Sequence, residues 1–274
     1  MTHIRNSLII FLIFITFSSL TGQKGYELGG WLGIATYYGD LNTTLNIRKP
    51  GPAAGLSARY NFNSRVSART SLNVARIGGD DALSQNNWER NRNLSFNSWI
   101  FDWSNVLEFN FFNYIHGSKK ENFTPYIFGG FNAFHFNPTA VLDDTRHALR
   151  QFGTEGQVTG QEYSRFSGGI ILGGGVKFDI NRDISVNIEL STRVLFTDYL
   201  DDVSTVFPDK TQLENTRGPI AVALSDRSLA DGLGEAGRQR GDTKGKDKYA
   251  FFGVSVMRYF GGIECPEISR IRVR

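Results

Sequence analysis

Between residues 93 and 111 the side chains alternate in character. Trp99, Phe101, Trp103, Leu107, Phe109 and Phe111 share one parity, and Ser98, Asp102, Ser104, Glu108 and Asn110 share the other. A period of two is the signature of an extended strand with one apolar and one polar face. Consecutive large aromatics on the apolar face suit lipid. The stretch is long enough to cross a bilayer as a tilted strand, which takes about 9–11 residues.

The same pattern recurs along the chain. Candidate strands are 26–38, 52–62, 66–77, 93–111, 123–136, 166–180, 184–196 and 249–260. In 66–77, Val66, Ala68, Leu72 and Val74 oppose Ser67, Arg69, Ser71 and Asn73. In 184–196, Ile184, Val186, Ile188, Leu190, Val194 and Phe196 oppose Ser185, Asn187, Glu189, Ser191 and Arg193. After residue 25 no apolar stretch reaches the ~18 residues of a helical span, which excludes helical crossings. A mean hydropathy of -0.27 beside 40% hydrophobic residues fits strands with one lipid face and one polar face.

The connections sort by length. Those after the first, third, fifth and seventh strands run to roughly 13, 15, 29 and 50 residues, and the others are short, as outer loops and periplasmic turns should be. The expected fold is all-β: a closed antiparallel eight-stranded transmembrane outer-membrane β-barrel with short periplasmic turns and long outer loops. Closure is required because hydrocarbon offers no partner to a free sheet edge. Eight strands leave room for side chains only, which predicts a filled lumen in contact with outer-membrane lipids outside. Strand glycines permit close backbone approach.

The first residues read as an export signal. His3 and Arg5 precede an apolar run at 8–17 (LIIFLIFITF), then small and polar residues to Gly22. The organisation expected is a cleaved signal at 1–22, the barrel at 23–260 and a periplasmic tail at 261–274.

Little points to chemistry. The net charge of +3, with both signs mixed, gives no clustered basic face for nucleic acid. The single cysteine, Cys265, excludes an intramolecular disulfide. His3, His116, His135 and His147 are too scattered for a zinc motif, and no G-x-S-x-G elbow occurs. Asp198, Asp201 and Asp202 cluster after the seventh strand, without EF-hand spacing. No cofactor and no enzymatic activity are expected. The stretch 226–248, rich in glycine and in both charges, reads as mobile and solvated.

Several segments, in order along the chain, resemble the PorG family of Bacteroidetes, an outer-membrane component of the type IX secretion system. They are YGDLN at 38–42, RNLSF at 92–96, EFNF at 108–111, TPYIFGG at 124–130, FNP at 136–138, TEGQ at 154–157, TDYLDDVS at 197–204 and Cys265-Pro266. Single positions carrying the match include Asp40, Asn110, Tyr126, Glu155, Asp198, Asp201 and Asp202. The resemblance implies a non-enzymatic role in protein export, linked to gliding motility in some relatives. The implied partners are periplasmic ring proteins of the PorK and PorN kind. Binding would use the periplasmic face: Asn63, Ser64, Arg65, His116, Lys119, Asn181, Arg182 and Asp183 in the turns, with Glu264, Cys265, Pro266, Arg270 and Arg272 in the tail. The competing reading is a surface adhesion or ligand-binding barrel acting through its long outer loops.

Overall fold

The computed structural model describes residues 24–44 and 47–262. The strands are β1 (Gly25–Tyr38), β2 (Gly51–Asn61), β3 (Val66–Asp80), β4 (Ser95–Asn110), β5 (Phe123–Phe136), β6 (Thr139–Leu142), β7 (Thr145–Ala148), β8 (Phe166–Asp179), β9 (Ile184–Leu195) and β10 (Lys248–Phe260). All but β6 and β7 pair antiparallel in one closed ring, β1 meeting β2 on one side and β10 on the other. β6 and β7 form a hairpin in the third outer loop. The chain is an eight-stranded transmembrane barrel of the outer-membrane type.

The register fixes the shape of the ring. From Tyr26, partner to partner, the path runs through Tyr60, Ala68, Leu107, Gly129, Leu172, Thr192 and Ala250 and returns to β1 at Thr36, ten residues further on. With strands about 4.8 Å apart and about 3.3 Å per residue, this stagger tilts the strands about 40° from the axis and gives a radius of about 8 Å. Side chains alone fill such an interior.

Each strand obeys its alternation. Along β4, Trp99, Phe101, Trp103 and Leu107 are exposed, while Ser98, Asp102, Ser104 and Glu108 are buried. A slip of one residue would turn the charged set into hydrocarbon, so the pattern itself locks the register. Tyr26, Phe62, Phe109, Phe111, Phe123 and Phe260 are exposed towards the periplasmic ends of their strands, and Trp99, Phe101, Phe166 and Phe196 towards the outer ends, the places of two aromatic girdles.

The lumen has three tiers. The periplasmic tier holds three carboxylates and three cations. Glu108 takes Arg59 Nε at 2.9 Å, Arg69 Nε at 2.7 Å and Lys177 Nζ at 2.6 Å. Glu27 takes Arg59 Nη1 at 2.7 Å, and Glu189 takes Arg69 Nη1 at 2.8 Å. The middle tier is polar. Asp102 accepts from Asn73 at 2.6 Å, Asn132 at 2.5 Å and Tyr249 at 2.6 Å, while the Trp31 indole donates to Asn73 at 2.8 Å. Trp31 can lie flat there because a Cβ at Gly253 would sit 2.8 Å from its ring. A cavity of about 30 Å³ remains beside Trp31, Arg69 and Arg193, room for about one water. The outer tier is apolar: Tyr37, Phe96, Ile100, Phe134 and Phe136 pack with Leu149, Leu200, Val203 and Leu224 from the outer loops.

Three outer connections are more structured than their sequences suggest, the second carrying a helix at Asn87–Arg92. The third carries the β6–β7 hairpin, and the fourth carries helices at Lys210–Arg217 and Pro219–Ser225. The stretch 226–248, expected to be mobile and solvated, instead buries Arg240 and Asp247. The physical reason is that both side chains meet partners far away in sequence. The expected signal at 1–22 lies outside the described residues.

Glu108 is the hub of the periplasmic tier. Glu108→Ala would leave Arg59, Arg69 and Lys177 buried without their shared carboxylate, and breaking such a site costs about 3–5 kcal/mol. Urea unfolding in lipid vesicles should show that loss. An unchanged midpoint would mean that the ion network does not hold the barrel.

Candidate functional site

The periplasmic face is built by three short turns. In the first, Asn63 Oδ1 accepts the backbone N–H groups of Arg65 and Val66, both at 2.8 Å. In the third, Asn181 Oδ1 accepts those of Asp183 and Ile184, both at 2.9 Å. An asparagine that caps its own turn two and three residues on is the common chemistry here. The second turn, 111–122, is longer and folds under the barrel mouth. Its His116 is buried, stacked on Tyr259 at 4.3 Å, with Nε2 3.2 Å from Glu27 and Nδ1 3.0 Å from Asp179. Tyr114 beside it hydrogen-bonds Asp179.

Burial alone would lower the His116 pKa, but hydrogen bonds and charge from Asp179 and Glu27 outweigh it and push it up to about 9. At neutral pH the imidazole is therefore cationic, and it closes the floor of the lumen as a third contact on Glu27 beside Arg59 and Asn61.

The sequence-predicted periplasmic residues thus divide. Asn63, Ser64 and His116 are buried and build the turns and the floor. Arg65 ties the first turn to the second, donating to the Phe111 carbonyl at 2.8 Å and to Asn113 at 3.0 Å. Lys119, Asn181, Arg182 and Asp183 are exposed. With Lys120, also exposed, the rim carries more positive than negative charge. Glu264, Cys265, Pro266, Arg270 and Arg272 lie outside the described residues.

At the opposite end, the outer loops form a dome around two buried arginines. Arg92 makes two 2.8 Å bonds to Asp81 and donates to the carbonyls of Asp40 at 2.7 Å and Arg240 at 2.5 Å. Arg240 donates to Glu155 at 3.0 Å and to the Asp202 carbonyl at 2.6 Å. Glu155 also accepts from Thr205 Oγ1 at 2.6 Å. All four outer loops are joined this way.

The three clustered aspartates diverge. Asp198 takes Ser204 at 2.8 Å, Asp201 takes Tyr37 at 2.5 Å, and Asp202 takes Thr154 at 2.5 Å and Tyr163 at 2.7 Å. Among the described residues, no group of three His, Cys, Asp or Glu side chains is arranged to hold a metal ion. Asp40, Glu155, Asp198, Asp201 and Asp202 meet in the dome, whereas Asn110 and Tyr126 belong to the lumen around Lys177. His135 and His147 pack on Phe166 and Phe152 respectively. Arg240 and Asp247, which sequence reasoning passed over, carry no local signal. They are single charged residues in a polar stretch.

One contact in the dome favours a bound proton. The Tyr37 hydroxyl lies 2.5 Å from Asp201 Oδ2 and 3.1 Å from Asp247 Oδ1. A hydroxyl has one hydrogen, so it donates fully to only one carboxylate, and a proton on the other would let that carboxyl donate in return. Burial, and then the neighbouring carboxylates, raises both aspartates well above the ordinary range. Burial likewise pushes Asp202 up to about 6 against the pull of Arg240, and Asp40 up to about 7 against the Asp242 N–H and Arg92.

The sign follows from linkage. An acid whose folded pKa is raised stabilises fully below its unfolded value near 4, and that stability is lost as pH rises through the folded value. The dome should therefore loosen between pH 5 and pH 8. Limited proteolysis of the outer loops in vesicles should be faster at pH 8. Asp247→Asn, whose amide can donate as a protonated carboxyl does, should remove part of that difference. Equal cleavage of the wild-type chain at both pH values would contradict the shared-proton contact.

Among solved structures, the chain is similar to Neisserial surface protein A (10% identity, 87% of this chain and 99% of that one, TM-score 0.43). It is also similar to the attachment invasion locus protein Ail of Yersinia pestis, solved with the heparin analogue sucrose octasulfate (12%, 87% and 99%, TM-score 0.38). A third is the outer membrane protein OprG of Pseudomonas aeruginosa (11%, 89% and 100%, TM-score 0.39). At these scores the fold rests on the chain's own strand pairing. No curated protein matches the chain. Residues 5–218 of the 274 match the family described as Domain of unknown function (DUF6089), and with most of its length matched this transmembrane β-barrel belongs to that family.

Proposed function

We propose that this barrel is a non-enzymatic outer-membrane component of a type IX secretion machine, anchoring or organising a PorK/PorN-like periplasmic ring. The observation that carries the reading is that the lumen is filled from floor to dome, which leaves the two faces as working surfaces. The ordered set of PorG-like segments supports the choice of machine. The periplasmic rim supports the choice of face. Lys119, Lys120 and Arg182 are exposed on turns pinned by Asn181 and by the buried His116, so a partner meets charges already held in place. Such a rim suits an acidic surface on the ring.

A second reading, a surface adhesion or ligand-binding barrel, draws support from the dome. Loops joined through Arg92 and Arg240 hold a fixed outer surface.

The two readings separate in one experiment. Lys119→Glu, Lys120→Glu and Arg182→Glu together should cut co-purification of the periplasmic ring at least tenfold and lower the amount of exported protein, while the barrel still inserts. Ring association that survives these changes, with surface binding lost on altering the dome loops, would favour the second reading.

A further inference from the structure

The wall made by β8, β9 and β10 is recessed over its outer half. Gly174, Thr192 and Ala250 are small there, with Leu172 and Leu190 beside them, and all five line one groove of about 940 Å³. That volume falls in the range of about 300–1,000 Å³ usual for small-molecule sites. On β10 the outward side chains Val254 and Phe252 are 44% and 50% exposed, whereas Ala250, next in that row, is 9% exposed. Leu172, Thr192 and Ala250 are successive cross-strand partners, so the groove climbs obliquely across the wall. With about 3.3 Å per residue, about 4.8 Å between strands and a tilt of about 40°, it rises about 16 Å from Gly174 to Lys248. Gly174 stands near the middle of an apolar band about 25 Å tall and Lys248 at its outer edge, so the groove spans the outer leaflet.

The mouth of the groove is polar. Lys246 and Lys248 are exposed there, beside Thr43 and Thr44. Four carboxylates also border the mouth, and the chain itself engages each of them. Asp40 accepts the Asp242 N–H at 2.8 Å and Asp198 the Ser204 hydroxyl at 2.8 Å. Asp242 accepts the Lys244 N–H at 3.1 Å and Asp247 the Leu200 N–H at 2.9 Å. The two lysines are not tied in this way. Among the described residues neither ammonium lies within ion-pair distance of a carboxylate, whereas Lys49, Lys210 and Arg217 in the outer loops do.

We propose that this groove holds one phosphate-bearing lipid of the outer leaflet, its acyl chain in the recess and its phosphate on Lys246 and Lys248. Position selects the occupant. The wall faces acyl chains, so hydrocarbon fills the recess, and a chain laid over Gly174, Thr192 and Ala250 buries more apolar surface than one on a flat wall. At the headgroup plane, two unpaired ammonium groups draw an anionic phosphate. The proposal rests on the barrel alone and is independent of the secretion reading.

The test uses the full chain in phosphatidylcholine vesicles with equal minor amounts of phosphatidic acid and diacylglycerol, which share acyl chains and differ in the phosphate. In native mass spectrometry the released barrel should keep one phosphatidic acid under activation that strips the other two lipids. Lys246→Gln with Lys248→Gln should weaken that retention about tenfold. Thr192→Phe with Ala250→Phe, which fill the recess, should abolish it. Arg146→Gln, which removes an exposed cation from the β6–β7 hairpin, should leave it unchanged. Heat-dependent gel mobility checks that each variant forms the barrel. Equal retention of phosphatidic acid and diacylglycerol, retention that survives either pair of changes, or an equal loss in Arg146→Gln would overturn the proposal. So would a photoreactive side chain at position 250 that cross-links a protein instead of lipid in native membranes.

Discussion

An eight-stranded ring with a ten-residue stagger encloses a space about one side chain deep on each side, and this chain sends Glu27, Arg59, Arg69, Glu108, Lys177 and Glu189 into it. Charges taken that far from water have to neutralise one another with near-ideal geometry. Here the two signs balance, and Glu108 alone ties together β2, β3 and β8 from its place on β4. The lipid side adds no compensating specificity, since acyl chains are apolar all round. Strand order, register and a closed lumen all depend on this inner network.

Both ends inherit rigidity from it. His116 closes the floor by joining the same Glu27 that holds Arg59, which fixes the second periplasmic turn under the mouth. At the outer end the polar tiers give way to an apolar tier continuous with the loops, so the dome is an extension of the lumen core. Arg92 and Arg240 then join the loops through backbone carbonyls and carboxylates. A shut barrel with two fixed faces suits anchoring and recognition better than passage.

The strand faces were legible in the sequence because a barrel wall enforces a period of two. The expected fifth strand, 123–136, has the observed bounds, and the inner parity of 66–77 and 184–196 lines the lumen. The loops were not legible. Arg240 stands between glycine-rich stretches and looks solvated, since its partners Glu155 and Asp202 are far off in the chain. The aspartates of TDYLDDVS looked like one cluster, yet adjacent residues on an irregular backbone point to different partners. The periplasmic turns were found, but not that Asn63 and His116 face inward, because turn composition does not tell a capping side chain from a displayed one.

The most direct measurement of whether the lumen is shut is single-channel recording of the purified chain in a planar bilayer. A lumen sealed by the Glu108 tier, His116 and the dome predicts no discrete conductance steps at neutral pH in high salt. Stable, reproducible steps would show an open path through the barrel and contradict a function confined to its faces.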